Sequence, residues 1–229
     1  MPMIRWRDRL LEELTSLFLR SSCPLCGRSA EQAFCSSCQR QLQRCQLPNP
    51  CQNWRGDLPV FAWGNYGGTL KRAITALKYE NHPKLAQPLG HELGKAWLDV
   101  PQFTSTQKMI VTPIPIHPKK IQQRGFNQAE LLGRSFCQFT GLPFQPLGLE
   151  RTHQTEAQFG LGMTAREENL KHAFSLGKGF RRCHPVSPVL LLDDIYTTGA
   201  TARSAAQALR QRGIAVLGIV AITRTMRNN

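Results

Sequence analysis

The spacing of apolar and polar residues changes character along the chain. Over residues 4–19, Leu10, Leu11, Leu14, Leu17 and Phe18 recur at helical intervals, while Arg7, Asp8, Glu12 and Glu13 fall on other faces. This predicts one amphipathic helix. Its polar face is mixed in sign, which suits packing on the body of the protein better than a membrane surface. From residue 20 to residue 60 the periodicity fades, and Cys, Pro, Asn and Gly punctuate the chain. From Phe61 onward periodic segments return. Gly64 to Gly68 read as a turn; Leu70, Ile74 and Leu77 mark a helix, and Leu85, Leu89, Leu93 and Trp97 mark another. Met109 to Ile116 is a β-branched run ending in prolines, followed by a basic loop from His117 to Gly125 and a helix from about Asn127 to Phe139. Val189 to Leu192 opens a strand, a helix runs through Arg212, and a last strand covers Ile214 to Ile222, making a βαβ unit. Continuous apolar strands alternating with helices predict an α/β fold with a parallel sheet covered on both faces.

Pro48, Pro50 and Pro59, with Asn49, Asn53 and Gly56, mark residues 47–59 as a linker. The expected organisation is a helix, a small cysteine module and a linker over residues 1–59, then the α/β domain over residues 60–229. The chain's 229 residues, 41% of them apolar, leave core for one ordinary domain plus such a module. The longest apolar stretch, Gly213 to Ile222, has the length of a buried strand, so no membrane span is expected. Glu12 and Glu13 interrupt what would be a signal-peptide core, which predicts a cytoplasmic location. Twenty-nine Lys and Arg against fifteen Asp and Glu give a net charge of +14, which favours phosphate-bearing partners over acidic-surface chemistry. After residue 60 there are 21 basic and 10 acidic residues, so the excess belongs to the larger domain. A solubility surface is the alternative reading of that excess.

Cys23-Pro-Leu-Cys26-Gly27 and Cys35-Ser-Ser-Cys38 are two Cys-x-x-Cys knuckles with eight residues between them. Paired knuckles can deliver four thiolates to one tetrahedral Zn²⁺, and Gly27 lets backbone amides approach the sulfurs. Disulfides are the competing use, disfavoured in a reducing compartment. A closed four-thiolate site is structural, not catalytic, and can supply on the order of 10 kcal/mol to a segment too short to bury a core. Cys45 and Cys51 have five residues between them, a poor knuckle, and receive no role. Cys137 and Cys183 stand alone and read as buried structural thiols.

The densest chemistry lies between the strand at Val189 and its following helix: Asp193, Asp194, Thr197, Thr198, Gly199, Ala200 and Thr201. Free amides of a first helical turn, the positive end of the helix dipole and three hydroxyls suit a phosphate monoester, and Gly199 lets the backbone close around it. Two adjacent carboxylates would repel that phosphate, so they are better placed against neutral hydroxyls such as those of a ribose. An N-cap is the alternative, but one cap needs one residue.

The stretch from Val189 to Thr201 resembles the phosphoribosyl-pyrophosphate signature of type I phosphoribosyltransferases, with Tyr196 where an aliphatic residue is usual. Taken with the cysteine knuckles, Leu77-Lys78-Tyr79, Thr112-Pro-Ile-Pro115, Arg124-Gly-Phe-Asn-Gln128, Arg151, Gln158, Arg166, Asn169 and Ala173-Phe174, the order along the chain resembles the ComF family, tied to DNA uptake in competent bacteria. The resemblance implies a type I phosphoribosyltransferase-like parallel-sheet domain with a small N-terminal zinc-binding module. It implies a pyrophosphate loop over residues 116–127 carrying Lys119, Lys120, Arg124, Gly125 and Asn127. It also implies a lid from about Arg151 to Lys171 with Arg151, Gln158 and Arg166 over the site, and Asp193 and Asp194 as the catalytic acids that orient the ribose. Two functions follow: a phosphoribosyltransferase, using Mg²⁺ with phosphoribosyl pyrophosphate on an acceptor no segment announces, or a non-catalytic competence factor that binds a nucleotide or single-stranded DNA. DNA-uptake proteins are the implied protein partners.

Overall fold

The computed structural model describes residues 21–104, 108–152 and 173–225. The helix expected over residues 4–19 lies outside them. The chain opens with the cysteine module, in which β1 (Ser21–Ser22) and β2 (Ser29–Ala30) pair antiparallel and α1 (Ser36–Gln43) follows. Then come β3 (Val60–Asn65), α2 (Gly68–Tyr79), α3 (Ala86–Leu98), the single turn α4 (Pro101–Thr104) and β4 (Ile110–Pro113). After α5 (Pro118–Arg124) and α6 (Gln128–Thr140), a hairpin of β5 (Leu149–Arg151) and β6 (Phe174–Leu176) leads through α7 (Lys178–Arg182) to β7 (Val189–Tyr196), α8 (Ala200–Arg210) and β8 (Val216–Arg224).

Four strands form one parallel sheet in the order β3-β8-β7-β4. The expected α/β class, with a parallel sheet and a cysteine module ahead of it, is what the chain adopts. The central strand β7 is apolar on both faces because both are covered. Leu190 and Leu192 join a buried cluster with α2, α3 and α6, whereas Val189 and Leu191 join a second cluster with α8 and the β5–β6 hairpin. Each fully buried Leu or Phe of these stripes contributes roughly 1.5–3 kcal/mol. On the first face α3 and α6 approach so closely that a methyl at Gly90 would stand 2.5 Å from the Ser135 Cβ and 2.9 Å from the Leu132 carbonyl oxygen.

The cysteine module has no core of its own. Cys23, Phe34, Cys35, Cys38 and Leu42 belong to the same buried cluster as Trp63, Leu70 and Ile74. Its helix lies on α2, where the Thr69 hydroxyl donates to Gln41 Oε1 at 3.0 Å and the Arg72 guanidinium donates to the Leu25 carbonyl at 3.5 Å. Gln39 reaches α3, donating to Glu92 at 2.9 Å. The segment expected as a linker is itself packed: Trp54 stands edge-on to Trp97 and Phe103 at centroid distances of 5.6 and 4.7 Å.

Two expectations are corrected. Residues 117–125 are not a loop but the short helix α5, entered through His117, whose Nδ1 accepts from the Lys119 amide at 3.2 Å, and left through Gly125 at φ 79°. The start and stop signals, Pro118 and Gly125, were present. The apolar periodicity was not, because no residue of α5 is buried. Cys183 is exposed, whereas Cys137 is buried as expected.

Candidate functional site

The site lies at the carboxyl ends of β4 and β7, where α/β sheets usually hold ligands. These strands are adjacent, and the Ile114 amide donates to the Leu192 carbonyl at 2.8 Å. Their following segments, which lead into α5 and α8, therefore start side by side. Gly199 is the N-cap of α8, with φ 77° and no side-chain cap. Glycine adopts this left-handed conformation at little cost. Thr197 and Thr198 are exposed, and Thr201 is half-buried. The Ala200 amide is met by Thr198 Oγ1 at 3.4 Å; among the described residues nothing accepts from the amides of Thr197, Thr198, Gly199 or Thr201. Donors with no partner at a helix start form an anion seat. Tyr196 packs against the second cluster, and its hydroxyl occupies the space a Cβ on Gly199 would need.

The two acids differ in their surroundings. Strand alternation assigns Asp194 to the face of Leu190 and Leu192, and Asp193 to the face of Val189 and Leu191. Asp194 is 3% exposed and forms an ion pair with Lys78 from the last turn of α2. Its Oδ1 also accepts from Gln128 Nε2 of α6 at 3.4 Å. Asp193 Oδ1 turns back to accept from the Asp194 amide at 2.8 Å. Burial and the neighbouring Asp194 charge push the Asp193 carboxyl well above the usual carboxylate range. The charge of Arg151, on β5, is close enough to be felt by Asp193.

Around the acids stands a group of cations. Lys120 is depressed by burial first and then by Arg124, Arg151 and Lys78. Desolvation, with Arg151, Lys119 and Lys120 nearby, lowers His117 as well. Cations close enough to depress Lys120 and His117 mark a place where an anion would be welcome. Lys78, Lys120 and Arg124 also line an open cleft of about 690 Å³, together with Tyr79, Gln123 and Phe126.

Of the residues expected to hold pyrophosphate, Lys119, Lys120, Arg124 and Gly125 are on α5 or at its end. Asn127 is buried and occupied as the N-cap of α6, its Oδ1 accepting from the Ala129 amide and its Nδ2 donating to the Ile114 carbonyl, both at 3.1 Å. Of the expected lid, Arg151 is beside Asp193, while Gln158 and Arg166 lie outside the described residues. Lys78 and Gln128 belong to the family motifs, but the sequence assigns them no role in the site; the one local signal is a lysine that ends an apolar helix face, one residue past Leu77.

The cysteine cluster is built from two turns. The Gly27 amide donates to the Cys23 carbonyl at 2.8 Å with Gly27 at φ 72°, and the Gln39 amide donates to the Cys35 carbonyl at 2.9 Å as α1 begins. The ligand atoms of Cys23, Cys26, Cys35 and Cys38 all lie within 4.8 Å of one another. A tetrahedron with 2.3 Å metal–sulfur bonds has edges of about 3.8 Å, so the set is compatible with zinc. A hydrogen bond from the Cys38 amide lowers the Cys35 thiol to about 7, while burial pushes Cys38 up to about 12. Among the described residues, no helix is long and apolar enough to cross a membrane.

No protein-family model matches the chain. Curated relatives do. Competence protein F of Haemophilus influenzae is 27% identical over 215 residues, covering 85% of this chain and 92% of the relative. DNA utilization protein YhgH of Escherichia coli is 28% identical, over 90% of this chain and 86% of the relative. Competence protein ComFC of Bacillus subtilis is 24% identical, over 83% and 72%. Solved structures similar to the chain include the glutamine phosphoribosylpyrophosphate amidotransferase of B. subtilis complexed with ADP and GMP, with 18% identity and a TM-score of 0.36 over 61% of this chain and 26% of that one. Another is the adenine phosphoribosyltransferase of Leishmania tarentolae, with 14% identity and a TM-score of 0.36 over 74% and 79%. By sequence, the chain is a homologue of competence protein F, ComFC and YhgH over most of its length, as the resemblance to the ComF family implied.

Proposed function

We propose that the protein binds a ribose phosphate, phosphoribosyl pyrophosphate foremost, in the cradle between β7 and α8, and that it serves DNA uptake from the cytoplasm, the DNA role being supported by the competence and DNA-utilization names of its relatives. One observation carries the reading: a helix start with unpartnered amides and a glycine cap follows directly on two acids of different environment that have cations close to them. The 5′-phosphate belongs at the amides and hydroxyls of residues 197–201, including Ala200. The ribose hydroxyls belong at Asp193 and Asp194, and the pyrophosphate near Lys119, Lys120, Arg124 and Arg151. In a transferase, pyrophosphate leaves ribose C1 as the acceptor attacks, the cations stabilise the departing charge, and no protein nucleophile is needed. Bound Mg²⁺ would supply Lewis-acid neutralisation of the pyrophosphate oxygens, with carboxylate oxygen as suitable hard donors. Zn²⁺ would be held by Cys23, Cys26, Cys35 and Cys38 in a structural role, within a module over residues 1–59 serving the domain over residues 60–229.

Calorimetric titration with phosphoribosyl pyrophosphate and with ribose 5-phosphate, with and without Mg²⁺, tests this on the wild type and on the Asp193→Asn, Asp194→Asn double variant. Saturable binding lost in the double variant is the expected result, and binding indifferent to it overturns the reading. The net charge of +14 favours a second reading, a non-catalytic factor that holds single-stranded DNA on its basic surface. That reading requires affinity to fall with log salt at a slope of about −0.7 per phosphate neutralised, unchanged by Asp193→Asn.

A further inference from the structure

One wall of the cleft carries an aromatic ring that a sugar phosphate leaves unused. Tyr79 ends α2 and is 69% exposed, although its neighbour Lys78 is drawn inward to Asp194. The Arg124 guanidinium lies over the Tyr79 ring at 4.8 Å from its centroid and is held there by donating to Gln128 Oε1 at 3.0 Å. Gln128 in turn donates to Asp194, so the ring, the guanidinium and the acid are linked through one side chain. An exposed tyrosine alone is ordinary. This one is backed on one face by an anchored planar cation, keeps the rest of its surface open, and stands at the edge of a cleft of about 690 Å³ lined by Lys78 and Lys120. That volume suits a small molecule, and a flat ring beside a flat cation is a stacking surface for another flat ring.

We propose that Tyr79 and Arg124 form a stacking shelf for a nucleobase whose phosphorylated sugar occupies the neighbouring cradle. The shelf rests on the ribose-phosphate reading for the position of the sugar, not for the stacking itself. It gives the ligand a class: a nucleotide, either free or as one unit of a single strand.

The test compares ribose 5-phosphate, adenosine and thymidine 5′-monophosphates, and a short oligothymidylate, titrated into the wild type, Tyr79→Ala and Tyr79→Phe. The monophosphates should bind roughly tenfold more tightly than ribose 5-phosphate to the wild type, the size expected for one stacked base. That gain should vanish in Tyr79→Ala and persist in Tyr79→Phe, with ribose 5-phosphate binding equal in all three. No gain in the wild type, or a gain that survives Tyr79→Ala, overturns the shelf. Failure of ribose 5-phosphate to bind any of the three, with Tyr79-dependent nucleotide binding intact, removes the ribose-phosphate reading and leaves the shelf standing. Tighter, salt-steep binding of the oligothymidylate identifies a strand as the source of the base, and affinity equal to the monophosphate identifies a free nucleotide.

Discussion

Two places in this molecule crowd acidic groups together, and they relieve the crowding differently. At the cysteine knuckles four thiols lie within 4.8 Å of one another, and among the described residues burial, backbone amides and the other thiols, not a basic side chain, shift Cys23, Cys35 and Cys38. At the end of β7 two carboxyls adjoin, and the fold supplies its own cation, Lys78, against the more buried one. The first arrangement is compatible with an ion from outside, whereas the second already contains its counter-charge. Anion crowding alone therefore does not mark a metal site. The decisive feature is whether the chain has already placed a cation there.

Breaking the first arrangement should have the largest effect. Cys38→Ser, or metal removal by a chelator, should cost the module on the order of 10 kcal/mol of metal-linked folding energy. Metal analysis together with amide exchange over residues 21–43 checks this, and a module protected without metal would overturn it. Next is Lys78→Met, which leaves Asp194 buried without its cation and should cost about 3–5 kcal/mol in urea denaturation. Adding Asp194→Asn should return most of that loss, since the uncompensated charge is the cause. Asp193→Asn should act in the opposite direction. The folded state raises the Asp193 carboxyl above its unfolded value, so the group contributes stability below the unfolded value and loses it as pH rises. The Asn variant should thus melt a few degrees above the wild type near neutrality, with the difference shrinking toward about pH 4. The smallest effect belongs to the surface pair of Arg210 with Asp57, at 2.8 Å but with the Asp57 side chain 85% exposed. Asp57→Ala should change stability by less than about 0.5 kcal/mol.

The sequence was legible where a short-range rule operates. The x-x spacing of the cysteines located their cluster, the apolar run of β7 located the central strand, and Leu70, Ile74 and Leu77 located α2, all buried on one face. It was less legible where the outcome depends on a distant partner. Lys78 gains its role from an ion pair spanning more than a hundred residues, and no local pattern announces that Asp194 turns to α2 while Asp193 caps its neighbour's amide. Helix α5 escaped for another reason: with no buried face it leaves no periodic trace, only the proline and glycine at its ends. Asn127 resembled a ligand in its motif and is a helix cap in the fold.

Helix α2 touches both of these regions. Its first turns bear against the cysteine module through Thr69 and Arg72, and its last turn delivers Lys78 and Tyr79 to the cleft. Twelve residues of helix make a rod about 18 Å long, stiff on that scale. A tilt at the sulfur end is therefore felt at the carboxylate end as a displaced ammonium group. The module and the acid's counter-charge thus sit at opposite ends of one helical rod.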